Sequence, residues 1–168
     1  MLNNNKVLII GYGSIAKKHI KIIKFLLPNL DMAILRVKSK KKADNYKTFW
    51  ALKDAINFNP NIVYICSGSN KHIFYFKKFK NITKNIFIEK PLSNDFSIVK
   101  NLIVQSKNNF QVGYFLRFHS LINQIRKIIK KENFGRVKSV KIHVGQHLSQ
   151  WRKIDYDKSV SAKKKLGG

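Results

Sequence analysis

Two glycines and an alanine near the N-terminus have the spacing of a turn that holds phosphate groups. The segment Gly11-Tyr12-Gly13-Ser14-Ile15-Ala16 has the form G-x-G-x-x-A, between a predicted strand and a predicted helix. The first glycine permits the tight bend, the second lets the backbone approach a pyrophosphate, and the alanine allows close helix packing. The helix N-terminus adds free N–H groups and partial positive charge. We therefore expect a dinucleotide site formed by Gly11, Tyr12, Gly13, Ser14, Ile15 and Ala16, with a purely structural turn as the alternative.

A basic residue stands where the second predicted strand ends, about 25 residues after Gly11. Sites that prefer NAD usually place Asp or Glu there, on the ribose 2′-hydroxyl. This sequence has Arg36, followed by Lys38, Ser39 and Lys40, and these cations and the hydroxyl suit a 2′-phosphate. The pattern favours NADP slightly over NAD. The alternative is that Arg36 is one more basic surface residue.

Alternating strands and helices must position these residues. Short β-branched runs separated by helical patterns predict βαβ units, which connect right-handedly into a parallel sheet covered on both faces. The predicted strands are Lys6–Ile10, Met32–Val37, Ile62–Cys66, Asn85–Glu89 and Gln111–Phe115. The predicted helices are Ser14–Leu27, Thr48–Asn57, His72–Phe79 and Asp95–Lys107. The fold class is therefore α/β, a doubly wound (Rossmann) sheet.

A second region follows the predicted sheet. It contains an amphipathic helix at Leu121–Lys131, a turn at Asn133–Gly135 and an alternating strand at Arg136–Leu148. We expect a nucleotide-binding domain at residues 1–118 and the start of an α+β substrate domain at residues 119–168. No later segment could complete a second core, so we expect the chain to stop inside that domain.

Composition narrows the classes of protein further. The 168 residues include 34 basic and 8 acidic ones, a net charge of +26, which would suit nucleic acid or anionic lipid. Only five of the basic residues are arginine, however, and the lysines are spread along the whole chain, which argues against nucleic acid. No apolar run approaches the roughly 18 residues of a membrane span, and no signal peptide is recognisable, so we expect a cytoplasmic protein. The single Cys66 and the five histidines predict neither a disulfide nor a metal site.

Four motifs in order then resemble one family. Ile88-Glu89-Lys90-Pro91 is similar to the Glu-Lys-Pro signature of the glucose-fructose oxidoreductase, inositol dehydrogenase and MocA (Gfo/Idh/MocA) family of NAD(P)-dependent oxidoreductases. Gly11 to His19 resembles its glycine fingerprint with a trailing histidine. Ile65 to His72 resembles its T-P-x-x-x-H segment, although Gly68 stands where proline is common. Gln111 to Phe118 resembles the V-G-(F/Y)-x-x-R-F segment between the two domains of the family.

The resemblance implies hydride transfer between a nicotinamide and a carbon of a sugar or sugar derivative. It implies that Lys90 is catalytic, hydrogen bonding the reacting oxygen and assisting proton transfer. The alternative is that Lys90 is an ordinary solvated lysine in a loop. The resemblance also implies a cis bond before Pro91 and a contact to substrate or cofactor, or a structural role, for Arg117. The cofactor contacts that it implies come from Ser67, Asn70, His72, Glu89 and Lys90. We expect His19 to pack within the first helix.

The same resemblance sets expectations about partners and activity. The family continues into an L-x-D-x-x-H segment with further catalytic residues, which the sequence lacks, so we expect an N-terminal fragment with weak activity alone. A homo-oligomer or a complementing C-terminal half are the partners that this implies, beside the dinucleotide and a sugar-like molecule. Two other classes stay open: a non-catalytic dinucleotide-binding module or partner subunit and, less favoured, a nucleic-acid-binding protein.

Overall fold

A parallel six-stranded sheet forms the centre of the structure, a computed structural model that describes residues 5–37, 39–83, 85–105, 110–131, 135–151, 155–156, 159 and 162–163. Within these residues, the strands are β1 (Lys6–Ile10), β2 (Asp31–Leu35), β3 (Lys47–Phe49), β4 (Ile62–Ile65), β5 (Asn85–Ile88) and β6 (Phe110–Val112). The α-helices are α1 (Ser14–Leu26), α2 (Leu52–Asn57), α3 (His72–Phe79), α4 (Phe96–Gln105), α5 (Ser120–Lys130) and α6 (Leu148–Trp151).

The strand order places the first strand in the middle of the sheet. The order is β3-β2-β1-β4-β5-β6, and every neighbouring pair is parallel. The chain winds in one direction from β1 to β3 and in the other from β4 to β6, which is the doubly wound arrangement that the sequence predicts. In such sheets a crevice forms at the carboxyl ends of the two strands where the winding reverses, here β1 and β4.

Both faces of β1 are buried because helices cover each of them. Leu8 and Ile10 belong to a cluster that contains three aromatic side chains of α3. Val7 and Ile9, which point the opposite way, belong to a cluster that contains Ala16 of α1. All four strand residues are at most 1% exposed. Each such side chain contributes about 1.5–3 kcal/mol of burial, and this explains why the strand is apolar almost throughout.

Most predicted elements are confirmed to within two residues, but β3 was missed. The sequence predicts a helix over Thr48–Asn57, whereas the structure has the short strand β3 and then α2, which begins at Leu52. β3 is only three residues long and, among the described strands, pairs with β2 alone. A strand of that length carries too little alternation to stand out from the helical pattern that follows it.

The predicted strand over Arg136–Leu148 is wrong. Residues 135–147 have no regular secondary structure, and α6 begins at Leu148. No strand among the described residues runs beside this segment, and an extended chain without a neighbour has no hydrogen-bond partners for its backbone. Its apolar side chains are consequently exposed, Val144 to 90%. Of the predicted turn, Asn133 and Phe134 lie outside the described residues. The domain boundary at residue 118 stays a prediction.

Candidate functional site

A cleft of about 280 Å³ lies at the carboxyl edge of the sheet, where β1, β2 and β4 end. This is the crevice at the reversal of winding, the usual ligand position in open α/β sheets. Five residues expected to bind a cofactor line it: Gly11, Tyr12, Arg36, Ser67 and Asn70. The other lining residues are Ile10, Leu35, Val37, Ser39, Gly68, Lys71 and Tyr75. The cleft therefore unites segments that are far apart in sequence.

Gly11 is required by the backbone at the end of β1. Its φ is +97°, a conformation that residues with a Cβ rarely adopt. An added Cβ would also lie 2.8 Å from the carbonyl oxygen of Cys66, which follows β4. The Gly11 N–H donates to the Leu35 carbonyl at 2.9 Å, and the Cys66 N–H donates to the Ile10 carbonyl at 2.9 Å. The turn is thus held against both neighbouring strands.

Gly13 has a different reason to be glycine. An added Cβ would meet no protein atom within 4 Å, so the small residue leaves open space in front of the helix instead of filling a tight contact. Gly13 is the N-cap of α1. Within the described part of the chain no side chain caps this terminus, and the first turn holds no acidic residue. Helix N-termini leave backbone N–H groups without partners, and these groups favour an anion. The first-turn residues Ser14 and Ile15 are exposed, whereas Ala16 is buried in the α1 face of the core.

Tyr12, Arg36 and Asp44 form a polar group at the β2 end of the cleft. The Tyr12 hydroxyl donates to Oδ2 of Asp44, and the Arg36 guanidinium lies 5.3 Å from the Tyr12 ring centroid. Burial, with the hydrogen bond and charge of Asp44, raises the pKa of Tyr12 to about 12. Nη1 of Arg36 donates to the carbonyls of Lys41 and Lys42 at 2.8 and 3.2 Å. Arg36 thus holds the loop after β2 in place. Lys38, which the sequence groups with Arg36, lies outside the described residues.

His72 lies beneath the cleft. Its ring is 1% exposed, with Nε2 2.9 Å from the Ser67 carbonyl oxygen and Nδ1 2.8 Å from the Pro91 carbonyl oxygen. The side chain thereby joins the loop after β4 to the loop after β5. Its predicted contact with a cofactor stays a prediction, and the geometry favours an action through Ser67.

Glu89 and Lys90 follow β5 at the same edge of the sheet. Glu89 is buried, and its Oε1 lies 2.6 Å from Nε2 of His19. Its Oε2 accepts a hydrogen bond of 3.2 Å from the Lys90 backbone N–H. The expectation that His19 packs within its own helix is therefore wrong, because its ring reaches across to β5. The Lys90 side chain is exposed, and the bond to Pro91 is cis, as expected.

The environment of Glu89 keeps its carboxylate charged. Burial alone would raise the pKa of this group, but the hydrogen bond and charge of His19 oppose it. The backbone N–H and the charge of Lys90 act in the same direction, and the net result is a lowered pKa. Glu89 is thus a buried anion with defined partners.

Glu89 is expected to make folding stability depend on pH in the acid range. Because its pKa is lower in the folded chain, the carboxylate stabilises the fold at neutral pH. That stabilisation declines as the pH falls below the ordinary glutamate pKa of about 4.3 and is lost below the lowered value. In Glu89→Gln the free energy of unfolding, measured with urea from about pH 3 to 7, should fall less steeply in this window. Asp31→Asn, which removes an exposed carboxylate, is the control; parallel curves for wild type and Glu89→Gln would contradict the assignment.

Cys66 is not arranged for nucleophilic chemistry. Its thiol is buried at the end of β4, and burial, with the nearby charge of Glu89, raises its pKa to about 12. The thiol stays protonated at neutral pH, and the thiolate is the reactive form. We therefore assign Cys66 to the core cluster that it shares with Ile9 and Ala16.

Other sequence expectations concern histidines, metals and membranes. His147 bonds to the Ser149 hydroxyl at 2.7 Å and has no strand around it. Across the described ranges, no group of three or more His, Cys, Asp or Glu side chains could hold a metal ion. In the same part of the chain, no helix combines the length and the apolar character that a membrane crossing requires.

The sequence reasoning missed several residues of the site. Lys71 and Tyr75 line the cleft beside Asn70, because a 3-10 turn at Ser69–Lys71 leads directly into α3. Lys71 directly precedes the predicted helix His72–Phe79, and its spacing of four from Tyr75 could have indicated a shared face. Asp44, the partner of Tyr12, has no such signal, since its φ of +43° and its position depend on the loop after β2.

Comparison with known proteins identifies a family that the chain matches. Residues 5–114 match the family GFO_IDH_MocA, described as an oxidoreductase family with an NAD-binding Rossmann fold. A curated relative is the uncharacterized oxidoreductase YrbE of Bacillus subtilis (strain 168), which is 27% identical over 147 residues. That match covers 80% of this chain and 42% of YrbE.

Solved structures share the fold at low sequence identity. Apo scyllo-inositol dehydrogenase from Lactobacillus casei has a TM-score of 0.66 and 22% identity, over 80% of this chain and 44% of that one. The WlbA dehydrogenase from Bordetella pertussis, in complex with NADH and UDP-GlcNAcA, has a TM-score of 0.67 and 18% identity. That match covers 79% of this chain and 44% of the WlbA chain. These similarities show the fold alone. The chain spans less than half the length of these relatives.

Proposed function

The chain belongs to the GFO_IDH_MocA family of oxidoreductases with an NAD-binding Rossmann fold, and from that membership we propose that its cleft binds a nicotinamide dinucleotide for hydride transfer with a sugar-like alcohol. The observation that carries the proposal is the N-terminus of α1, where none of the described side chains provides a cap and Gly13 leaves open space. These features fit a pyrophosphate, which needs N–H donors and close backbone approach.

Each end of the cleft then takes one part of the dinucleotide. The N–H groups of Ser14 and Ile15 would bind the pyrophosphate, since they belong to the first turn of α1. Arg36 and Ser39 at the end of β2 would bind the adenosine ribose and admit a 2′-phosphate. Asn70, in the turn after β4, would face the nicotinamide half.

Lys90 is the residue that we propose for proton transfer. It follows β5 with an exposed ammonium group, which can donate a hydrogen bond to a substrate oxygen and exchange a proton with it. A bound nicotinamide supplies the hydride acceptor or donor. The buried Glu89 would hold the Lys90 backbone in place through the bond between its Oε2 and the Lys90 N–H.

A polyol or sugar derivative is the substrate class that we propose. Support comes from structural neighbours, among them a scyllo-inositol dehydrogenase with bound NAD(H) and scyllo-inositol and a WlbA dehydrogenase with NADH and UDP-GlcNAcA. Those ligands share a ring carbon that bears a hydroxyl group. Oxidation of such a carbon releases a hydride to the nicotinamide and a proton to a base.

Binding of NADH is the first test of this function. We expect saturable binding to the 168-residue chain, measured by NADH fluorescence at 0.15 M salt so that the charge of +26 is screened. ADP-ribose should compete, because it shares the adenosine and pyrophosphate groups. The proposal would be contradicted if calorimetry detected no NADH binding to a chain that circular dichroism shows to be folded.

Turnover is the second test. The chain is incubated with NAD and scyllo-inositol, myo-inositol or a UDP-linked sugar acid, and NADH formation is recorded. Lys90→Met should lose any turnover, since it keeps most of the length of the side chain but not the ammonium group. It should retain ADP-ribose affinity, because the adenosine and pyrophosphate contacts are unchanged. A variant as active as the wild type would remove Lys90 from the mechanism.

Arg36→Ala should change the preference between the two dinucleotides. The variant loses a cation beside the adenosine ribose, so NADPH affinity should fall about tenfold while NADH affinity changes by less than about threefold. Fluorescence titration of both reduced dinucleotides measures the ratio. Lys53→Ala, which removes an exposed cation from α2, is the charge control. Equal losses for both dinucleotides in Arg36→Ala would mean that Arg36 acts only through its loop.

A further inference from the structure

The turn that carries Lys90 is attached to the rest of the domain on two sides, each time through a histidine. On one side Nε2 of His19 lies 2.6 Å from Oε1 of Glu89, the residue before Lys90. On the other side Nδ1 of His72 lies 2.8 Å from the carbonyl oxygen of Pro91, the residue after it. Lys90 therefore sits between two anchored neighbours.

The His19 attachment joins the turn to α1, the helix that follows the cleft residues Gly11 and Tyr12. His19 belongs to α1, and its ring lies edge-on to Phe87 at 5.0 Å and tilted against Tyr64 at 5.6 Å. These rings fix the imidazole laterally while its nitrogen reaches Glu89. Gly113 makes room for the carboxylate, because a Cβ there would lie 3.3 Å from Oε1 of Glu89.

The His72 attachment joins the turn to the loop after β4. Both ring nitrogens face carbonyl oxygens, with Nε2 2.9 Å from Ser67 O. Ser67 lines the cleft, whereas the His72 ring is buried. The ring N–H donates to one of these two carbonyl oxygens, and the tautomer decides which. The buried ring fills the space between the two loops, so the position of Pro91 follows that of the cleft wall.

We propose that His19 and His72 are positioning residues, which hold Lys90 at the nicotinamide end of the cleft while the adenosine and phosphate end forms without them. The inference rests on the proposed dinucleotide function. His19 acts through Glu89, and His72 acts through Pro91 and Ser67. Substitution of either histidine should therefore weaken the binding of ligands that extend beyond the pyrophosphate to a nicotinamide. It should leave the affinity for ligands without a nicotinamide unchanged.

The test compares two ligands that differ in the nicotinamide alone. NADH and ADP-ribose are titrated by calorimetry into wild type, His19→Phe and His19→Gln. Phenylalanine keeps the ring contacts and loses the donor to Glu89, whereas glutamine keeps an N–H donor. We expect His19→Phe to lose about tenfold in NADH affinity with ADP-ribose affinity within about twofold, and His19→Gln to recover most of the loss. Lys18→Gln, an exposed change on the same helix, is the control.

His72→Phe, which keeps a ring and loses the N–H donor, is tested in the same way and should show the same selectivity. If circular dichroism shows that this buried variant does not fold, the His19 variants alone decide between the outcomes. The inference would be overturned if the folded His19→Phe variant lost affinity for both ligands equally or kept its affinity for both. The proposed dinucleotide function would then still stand. A wild-type chain that binds neither ligand would instead overturn the proposed function, and the inference with it.

Discussion

Gly13→Asp is expected to weaken NADH binding by about 100-fold or more while it makes the chain harder to unfold. Both effects have one cause. Aspartate at the N-cap of α1 satisfies the first-turn N–H groups and adds a negative charge at the positive end of the helix, which stabilises the helix by a few tenths to about 1 kcal/mol. The same carboxylate occupies the proposed pyrophosphate position and repels its charge.

Two measurements check this pair of effects. Fluorescence or calorimetric titration gives the NADH affinity, and urea denaturation gives the free energy of unfolding. Gly13→Ala is the matched control: its Cβ meets no protein atom within 4 Å, so it should fold normally and bind NADH more tightly than Gly13→Asp. If Gly13→Asp retained wild-type affinity, the N-terminus of α1 would have no part in the site.

Gly11→Ala is expected to destabilise the fold by about 2–4 kcal/mol and to lower Tm by about 10 °C. An alanine there must adopt a φ near +97° or move the turn, and its Cβ would lie 2.8 Å from the Cys66 carbonyl oxygen. Relief of that clash would separate the ends of β1 and β4, which form the floor of the cleft. We expect weaker NADH binding as a secondary consequence.

Gly13→Ala again serves as the comparison, because both substitutions add one methyl group to the same turn. It should cost less than about 1 kcal/mol in urea denaturation, since its φ of −83° suits any residue. A Gly11→Ala chain as stable as Gly13→Ala would show that the turn relaxes freely and that the glycine is not required there.

The sequence predicts the sheet well where burial on two faces leaves a strong pattern. Lys6–Ile10 matches β1 at both ends because it is a short, continuous apolar run that ends at Gly11. His72–Phe79 matches α3 because its buried residues repeat with the period of a helix. Arg136–Leu148 alternates equally well but forms no strand. Alternation shows which face of a strand would be apolar, whereas pairing depends on a second strand that local sequence does not identify.

The site divides in the same way between local and long-range features. The glycine turn is predictable because Gly11 and Gly13 act through the backbone conformation and bulk of their own positions. The pair of His19 and Glu89 spans 70 residues, and the contact of His72 with Pro91 spans 19. Such contacts depend on strand order, which brings the ends of β4 and β5 together, so a motif alone predicts the residues but not their bonds.

The central position of β1 has a consequence for synthesis of the chain on the ribosome. β1 is made first, yet it needs β2 on one side and β4 on the other, and β4 ends at Ile65. Until about 60 further residues have emerged, an apolar segment with unpaired backbone groups is exposed to other nascent chains. A chaperone that binds short apolar segments should therefore protect this protein most while residues 11–65 are being translated.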